Sequence, residues 1–248
     1  EMYLRSLMYL RERKEHLEDL DADMEQIRYD LQEIQKEIRR KTEEQTSIQE
    51  QLRLTDYEEI KERLDAWFSD KEPEMLSMLE RIVNMDSFTN DAADVNKVGE
   101  VVTGWLAEAG FHTAKLPKKP APADEQWMNG LGNVFSARTH SVECGPGVAF
   151  IGHMDTVFPA GTAGARPFRL DRAADRATGP GVTDMKAGIV QNMFVARALK
   201  ELGLMDVPMT LTFSPDEELG SPSTTPILGE QLNGAQAVIC TEPGYPGG

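Results

Sequence analysis

The first 72 residues contain neither glycine nor proline, and all 20 Gly and 14 Pro of the 248-residue chain follow Glu72. These are the two residues a long helix excludes, because glycine costs it about 1 kcal/mol and proline about 3 kcal/mol at an interior position. The stretch also carries a repeat. Leu17, Leu20, Met24, Ile27, Leu31, Ile34 and Ile38 follow one another at intervals of 3, 4, 3, 4, 3 and 4, which is the 3.5-residue period of a coiled-coil seam. Leu10 extends the phase backwards, and Ile48 and Leu52 resume it after polar Lys41 and Gln45. Glu37 and Lys41 stand in the favourable i,i+4 sense, whereas Glu33 and Glu37 repel. A seam two positions wide is too narrow to dock on a globular core. The expectation for residues 1–65 is therefore a coiled-coil helix, paired with a copy of itself or folded back as a hairpin. Such a helix does no chemistry; it sets oligomeric state, with a homo-oligomer as the expected product.

Charge narrows the partners. The formal net charge is −16, and nucleic-acid binding needs clustered Lys and Arg. The polar face of the heptad helix is acidic, which argues against a membrane surface or a calmodulin-type partner. No run approaches the roughly 18 apolar residues of a membrane span. The opening Glu1-Met2-Tyr3-Leu4 has no basic flank or apolar run of a secretory signal. Cys144 and Cys240 make neither a disulfide framework nor a Cys-rich zinc site. The expected setting is a reducing cytoplasm.

Residues 66–248 read as alternating elements. Met75-Leu76, Met78-Leu79 and Ile82-Val83 form a helical stripe, and a second helix runs from about Val95 to Ala109, stopped by Gly110. Phe111–Leu116 and Val134–Ala137 are short strands around a Pro-rich loop. Val148–Ile151 and Ala237–Cys240 are continuous apolar runs, as in strands buried on both faces. Between them lie a helix at about Lys186–Leu202, an alternating strand over Pro208–Ser214, and a short helix over Thr224–Leu232. Strand and helix alternating at these spacings predict an α/β fold with a mostly parallel sheet, whose ligands sit beyond the carboxyl ends of the strands.

Those ends carry the chemistry. Val148–Ile151 runs into Gly152-His153-Met154-Asp155-Thr156, Pro208–Ser214 into Asp216-Glu217-Glu218, and Ala237–Cys240 into Thr241-Glu242-Pro243. Gly179-Pro180-Gly181-Val182-Thr183-Asp184 turns tightly and delivers Asp184 before the Lys186 helix. One imidazole with several carboxylates suits Zn2+ or another borderline divalent ion, and excess carboxylates suit two metals bridged by one of them. The spacing of His153 and Asp155 puts both on one side of an extended chain, so Asp155 can fix the tautomer of His153. Glu217 and Glu218 cannot point the same way in an extended chain, which predicts different roles: one metal ligand, one base. Singly, each motif is weak: His-x-Asp is usually a structural pair, Glu-Glu is usually solvated, and Gly-Pro-Gly is a turn without the Lys-Ser/Thr of a phosphate loop. His112 reads as structural and His140 as an exposed loop residue; Cys240, in its apolar run, reads as a buried small hydrophobe.

Taken together, His153–Val157, Gly179–Gly188, Asp216–Ser221 and Thr241–Pro243 resemble metallopeptidase family twenty, the di-zinc hydrolases that include glutamate carboxypeptidase, aminoacylase, acetylornithine deacetylase and succinyl-diaminopimelate desuccinylase. The resemblance covers roughly Ala66–Pro243, the amino-terminal half of that catalytic domain, and its wording is nearest the glutamate-carboxypeptidase branch. It implies a zinc-exopeptidase-like fold. It implies that His153, Asp184, Glu218 and Glu242 hold metal, with Asp184 bridging, and that Glu217 and Asp155 are catalytic, Glu217 as general base and Asp155 as the group orienting His153. The implied cofactor is Zn2+, two per complete site, with Co2+ or Mn2+ as substitutes. The implied reaction is hydrolysis of an amide or peptide bond next to a free carboxylate, in a small peptide or N-acyl amino acid, of the carboxypeptidase or deacylase type. Two departures qualify it. No His follows His153, whereas the family pattern has a later metal-binding His, and a lid and dimerisation domain is absent. The heptad helix is not part of the family pattern. The sequence therefore predicts at most one well-held metal and weak or no activity, against the alternative of a non-catalytic coiled-coil assembly protein carrying an incomplete hydrolase half.

Overall fold

The computed structural model describes residues 24, 28–29, 31–47, 56–205 and 207–244. Heptad positions Leu10, Leu17, Leu20, Ile27, Ile48 and Leu52 lie outside the described residues. The chain divides into two units, Glu1–Glu62 and Arg63–Gly248. In the first, residues 31–47 are helical, and seam residues Leu31, Ile34 and Ile38 are all more than half exposed. Lys41 reaches Glu37 at 3.8 Å, the pairing its spacing favours. Among the described residues no helix is long and apolar enough to cross a membrane.

The second unit is α/β. Helix α1 (Glu72–Val83) starts with Pro73 in its first turn, where a missing N–H costs nothing. It buries Leu79, Ile82 and Val83. Helix α2 (Ala92–Glu108) is capped by Asp91, whose carboxylate accepts from the amide of Asp94, and ends before Gly110 at φ +77°. The strands are β1 (His112–Lys115), β2 (Phe135–Arg138), β3 (Val148–His153), β4 (Arg169–Asp171), β5 (Arg176–Thr178), β6 (Met209–Ser214) and β7 (Ala237–Cys240); helices α3 (Ala187–Glu201) and α4 (Thr225–Gln231) flank β6. Five strands form one sheet in the order β1-β2-β6-β3-β7. β3 pairs parallel with both β6 and β7, while β1–β2 and β2–β6 are antiparallel. The α/β fold expected from the sequence is formed; its parallel part is β6-β3-β7, with an antiparallel pair added at one edge.

Alternation along the strands separates two faces. Phe135, Ala137, Phe150, Leu211 and Phe213 pack with Val95, Val98, Val102 and Leu106 of α2, Ile82 and Val83 of α1, and Ile189, Met193 and Phe194 of α3. Each of these Val, Leu, Ile, Phe and Met side chains contributes about 1.5–3 kcal/mol by leaving water. The fit is close: a Cβ on Gly99 would lie 2.4 Å from the Phe135 ring, so only glycine lets α2 approach β2. On the alternate positions the hydroxyls of Ser136, Thr210 and Thr212 are buried without hydrogen-bond partners.

β7 was expected to be buried on both faces; all four of its residues are exposed, because it occupies the sheet edge and pairs only with β3. Cys240 is exposed for the same reason. Glu217 and Glu218 are not in extended chain but in a 3-10 turn, Glu217–Leu219. The β4–β5 hairpin has no counterpart in the sequence reading, since its strands are three residues long and largely charged. His112 lies on exposed β1 and His140 is exposed.

Candidate metal centre

Parallel strands bring their carboxyl ends to one edge. His153 is in register with Ser214, and Ile151 with Cys240, so Asp155, the Asp216–Glu218 turn and Glu242 emerge together. Asp184 comes from a loop. Gly181 turns it at φ +70°, where a Cβ would meet the Thr156 side chain at 2.6 Å. Both strain and crowding therefore call for glycine. The Asp184–Met185 peptide is cis. Met185 is buried against Gly152, and its sulfur accepts from the His153 amide at 3.2 Å. Lys186, itself buried, donates to the Met85 carbonyl at 2.8 Å and so ties the loop to the end of α1.

His153 is buried at the centre of this edge. Its Nδ1 lies 3.0 Å from the Asp155 carbonyl and 3.3 Å from the Asp155 carboxylate. A proton on Nδ1 satisfies both, leaving Nε2 to face the site. Around Nε2 stand Asp184 at 2.9 Å, Glu242 at 3.6 Å and Glu217 at 3.8 Å. Donor atoms of His153, Asp184 and Glu218 all lie within 4.8 Å of one another. Ligands about 2.0–2.1 Å from a tetrahedral Zn2+ are about 3.4 Å apart. The donor set, one neutral nitrogen and several carboxylate oxygens at these separations, fits a divalent cation.

Asp155 is wholly buried and does more than orient the imidazole. Its carboxylate accepts from the Thr89 hydroxyl at 2.8 Å and from the amides of Glu217 and Glu218 at 3.2 Å each. The end of β3 thereby holds the turn that presents both glutamates. Asp216, also buried, accepts from the amide and hydroxyl of Ser223 and from the Thr224 hydroxyl, which pins the other side of the turn. Thr89, Asp216 and Lys186 escaped the sequence reading as site-building residues. Only Asp216 left a readable sign, a Ser-Thr pair seven residues downstream of an acidic strand end.

The electrostatics describe a centre rich in negative charge. Burial pulls the His153 imidazole down, but Asp155, Glu242 and Asp184 outweigh it and raise the pKa to about 9. Glu218 and Glu242 are both pushed above the usual carboxylate range, first by burial and then by neighbouring carboxylates, with His153 opposing. Burial draws Lys186 down to about 8 against the pull of Asp86. A dication at Nε2 would displace the His153 proton and reverse the repulsion among the carboxylates.

Every metal or catalytic candidate from the sequence thus comes to one edge of the sheet: His153, Asp184, Glu217 and Glu242 by direct approach, Glu218 within the donor cluster, Asp155 beneath. Residues 149–248 match the family model described as Peptidase family M20/M25/M40. The match falls on the same motifs that carry the resemblance in the sequence, His153–Val157, Gly179–Gly188, Asp216–Ser221 and Thr241–Pro243. The chain is 28% identical over 176 residues to carboxypeptidase G2 of Pseudomonas sp. (strain RS-16), covering 71% of this chain and 40% of that protein. It resembles in fold the dipeptidase Dug1p of Saccharomyces cerevisiae (TM-score 0.57, 21% identity, 74% of this chain and 40% of that one). It also resembles human carnosine dipeptidase 1 (TM-score 0.58, 16% identity, 74% and 41%). The M20 family metallo-carboxypeptidase Sso-CP2 of Sulfolobus solfataricus is similar too (TM-score 0.55, 17% identity, 69% and 38%). The chain spans about 40% of the length of these relatives.

Proposed function

We propose that this chain holds a divalent cation, Zn2+ or in its place Co2+ or Mn2+, through His153, Asp184, Glu218 and Glu242. It then serves in hydrolysis of an amide or peptide bond next to a free carboxylate, in a small peptide or N-acyl amino acid. The observation that carries this reading is the buried imidazole whose Nδ1 is taken by Asp155 while Nε2 meets a carboxylate at 2.9 Å. When bound, such a cation polarises a carbonyl and lowers the pKa of water. The chain's own residues do the rest. Asp155 keeps the His153 proton on Nδ1 and fixes the ring plane. Glu217, half exposed beside Nε2, takes a proton from water at its carboxylate and returns it to the leaving amine. Asp184, 2.9 Å from Nε2 and within the Glu218 cluster, would be shared between two cations were a second one bound.

The amino-terminal segment supports a second role. Leu31, Ile34 and Ile38 expose one apolar seam, which favours assembly into a homo-oligomer in the cytoplasm through residues 1–65. The non-catalytic reading makes assembly the whole function. Glu217→Gln separates the two. A hydrolase loses about two or more orders of magnitude in rate on an acyl-amino-acid panel while metal content is kept. An assembly protein shows equal, background hydrolysis for both chains.

A further inference from the structure

Away from the metal centre, Arg166, Arg169, Arg172 and Arg176 fall within 11 residues of a chain whose formal charge is −16. Arg172 is 2.9 Å from Glu72, and Arg176 stands opposite Asp171 in the β4–β5 register. Among the described residues no carboxylate lies within 4.0 Å of Arg176, nor of the neighbouring pair Arg166 and Arg169. Arg166 and Arg169 differ from Arg176 in their place. Both line one cavity of about 380 Å³, together with Pro167, Thr178 and Gly179. That volume lies in the range of small-molecule sites.

The frame is braced. The Arg166 guanidinium sits over the Phe158 ring, 4.8 Å from its centroid, which orients the head without neutralising it. Arg169 stands opposite Thr178 in the β4–β5 register. The Phe168 amide donates to Asn84 at 2.8 Å, and the amides of Gly161 and Ala163 donate to Asp86 at 2.6 and 2.9 Å. Two unpaired guanidinium forks beside one cavity suit the planar geometry of a carboxylate. A dicarboxylate offers one planar carboxylate to each of the two guanidinium groups, which a single tetrahedral phosphate does not.

We propose that the Arg166–Arg169 cavity binds the carboxylate of a small anionic molecule, such as a dicarboxylate or an acidic amino-acid derivative. The cavity wall at Thr178 leads through Gly179 to Asp184 over at most about 20 Å of chain, so the ligand sits beside the loop that serves the metal centre. The proposal stands without the hydrolase reading. Glutarate is titrated calorimetrically into the full chain at low and raised salt, and inorganic phosphate in parallel. Saturable one-to-one glutarate binding is expected. Arg169→Gln or Arg166→Gln weakens it about tenfold or more, Arg172→Gln leaves it unchanged, and phosphate binds more weakly. Arg166→Lys keeps the charge over Phe158 but loses the fork, so its affinity falls between wild type and Arg166→Gln; circular dichroism confirms that each variant is folded. Absence of saturable glutarate binding overturns the proposal. So does an equal loss in Arg172→Gln, which would report a diffuse field, or tighter binding of phosphate than glutarate. A failed zinc titration on the same samples counts against the metal centre alone.

Discussion

Replacing Asp155 by Asn keeps the shape of a wholly buried side chain and removes its charge. In the wild type, Asp155 is the foremost of the groups that raise His153 to about 9. Without it the largest upward push is gone, with only Glu242 and Asp184 left to oppose burial, and the His153 pKa falls toward its ordinary value near 6.5. At pH 7 the wild-type imidazole is then about 100-fold more protonated than neutral, and a metal must displace that proton. The wild type therefore gives up about two orders of magnitude in apparent affinity at pH 7 and about a factor of two at pH 9. The variant gives up almost nothing at either pH, but loses about 10–100-fold in intrinsic affinity with the oriented, more basic ligand. The two effects nearly cancel at pH 7 and separate at pH 9, where Asp155→Asn binds markedly more weakly. The asparagine amide also sets a donor against the amide of Glu217 or Glu218, which costs about 1–3 kcal/mol of stability. The assay is zinc affinity by chelator competition at both pH values, with NMR titration of the His153 ring in metal-free protein. A variant whose His153 still titrates near 9, or whose affinity deficit is the same at both pH values, refutes the reasoning.

Gly188→Ala places a Cβ 2.4 Å from the Thr241 carbonyl oxygen, and overpacking of this kind costs about 1–3 kcal/mol. Its melting temperature falls and zinc binding weakens as Glu242 shifts, while Gly229→Ala, with nothing within 4 Å, is stabilised by about 0.5–1 kcal/mol. Lys186 has a folded-state pKa depressed to about 8 by burial, against an ordinary value near 10.4. Its penalty is therefore complete below pH 8 and fades as pH rises from about 8 to 10.4. Relative to Lys186→Met, metal-free wild type gains on the order of 3 kcal/mol over that window in urea denaturation; a pH-independent difference contradicts this. Ile34→Asp with Ile38→Asp converts an oligomer to monomer in sedimentation equilibrium, and an unchanged mass shows that the seam does not pair.

Much of the candidate site's layout was legible because strand ends are legible. Short apolar runs ending in His-x-Asp, Asp-Glu-Glu and Glu-Pro mark parallel strands and name the side chains at one sheet edge, and the structure sets those side chains together. The supports were not legible. Thr89 reaches Asp155 from 66 residues away, and Lys186 meets Met85 across 101; no local pattern encodes such pairings. β7 shows another limit: an apolar run states that a strand tolerates burial, while its neighbours decide whether it is covered. The β4–β5 hairpin shows a third, since strands as short and as charged as Arg169–Asp171 and Arg176–Thr178 present no period to read. The unpaired arginines beside it become visible only once distances are known.

The account rests on His153, Asp184, Glu218 and Glu242 sharing a cation, and anomalous diffraction at the zinc edge from zinc-soaked crystals tests this most directly. The predicted result is a peak about 2.0–2.2 Å from His153 Nε2 and from an Asp184 carboxylate oxygen, lost in His153→Gln. A peak only elsewhere, or none at saturating zinc, contradicts it.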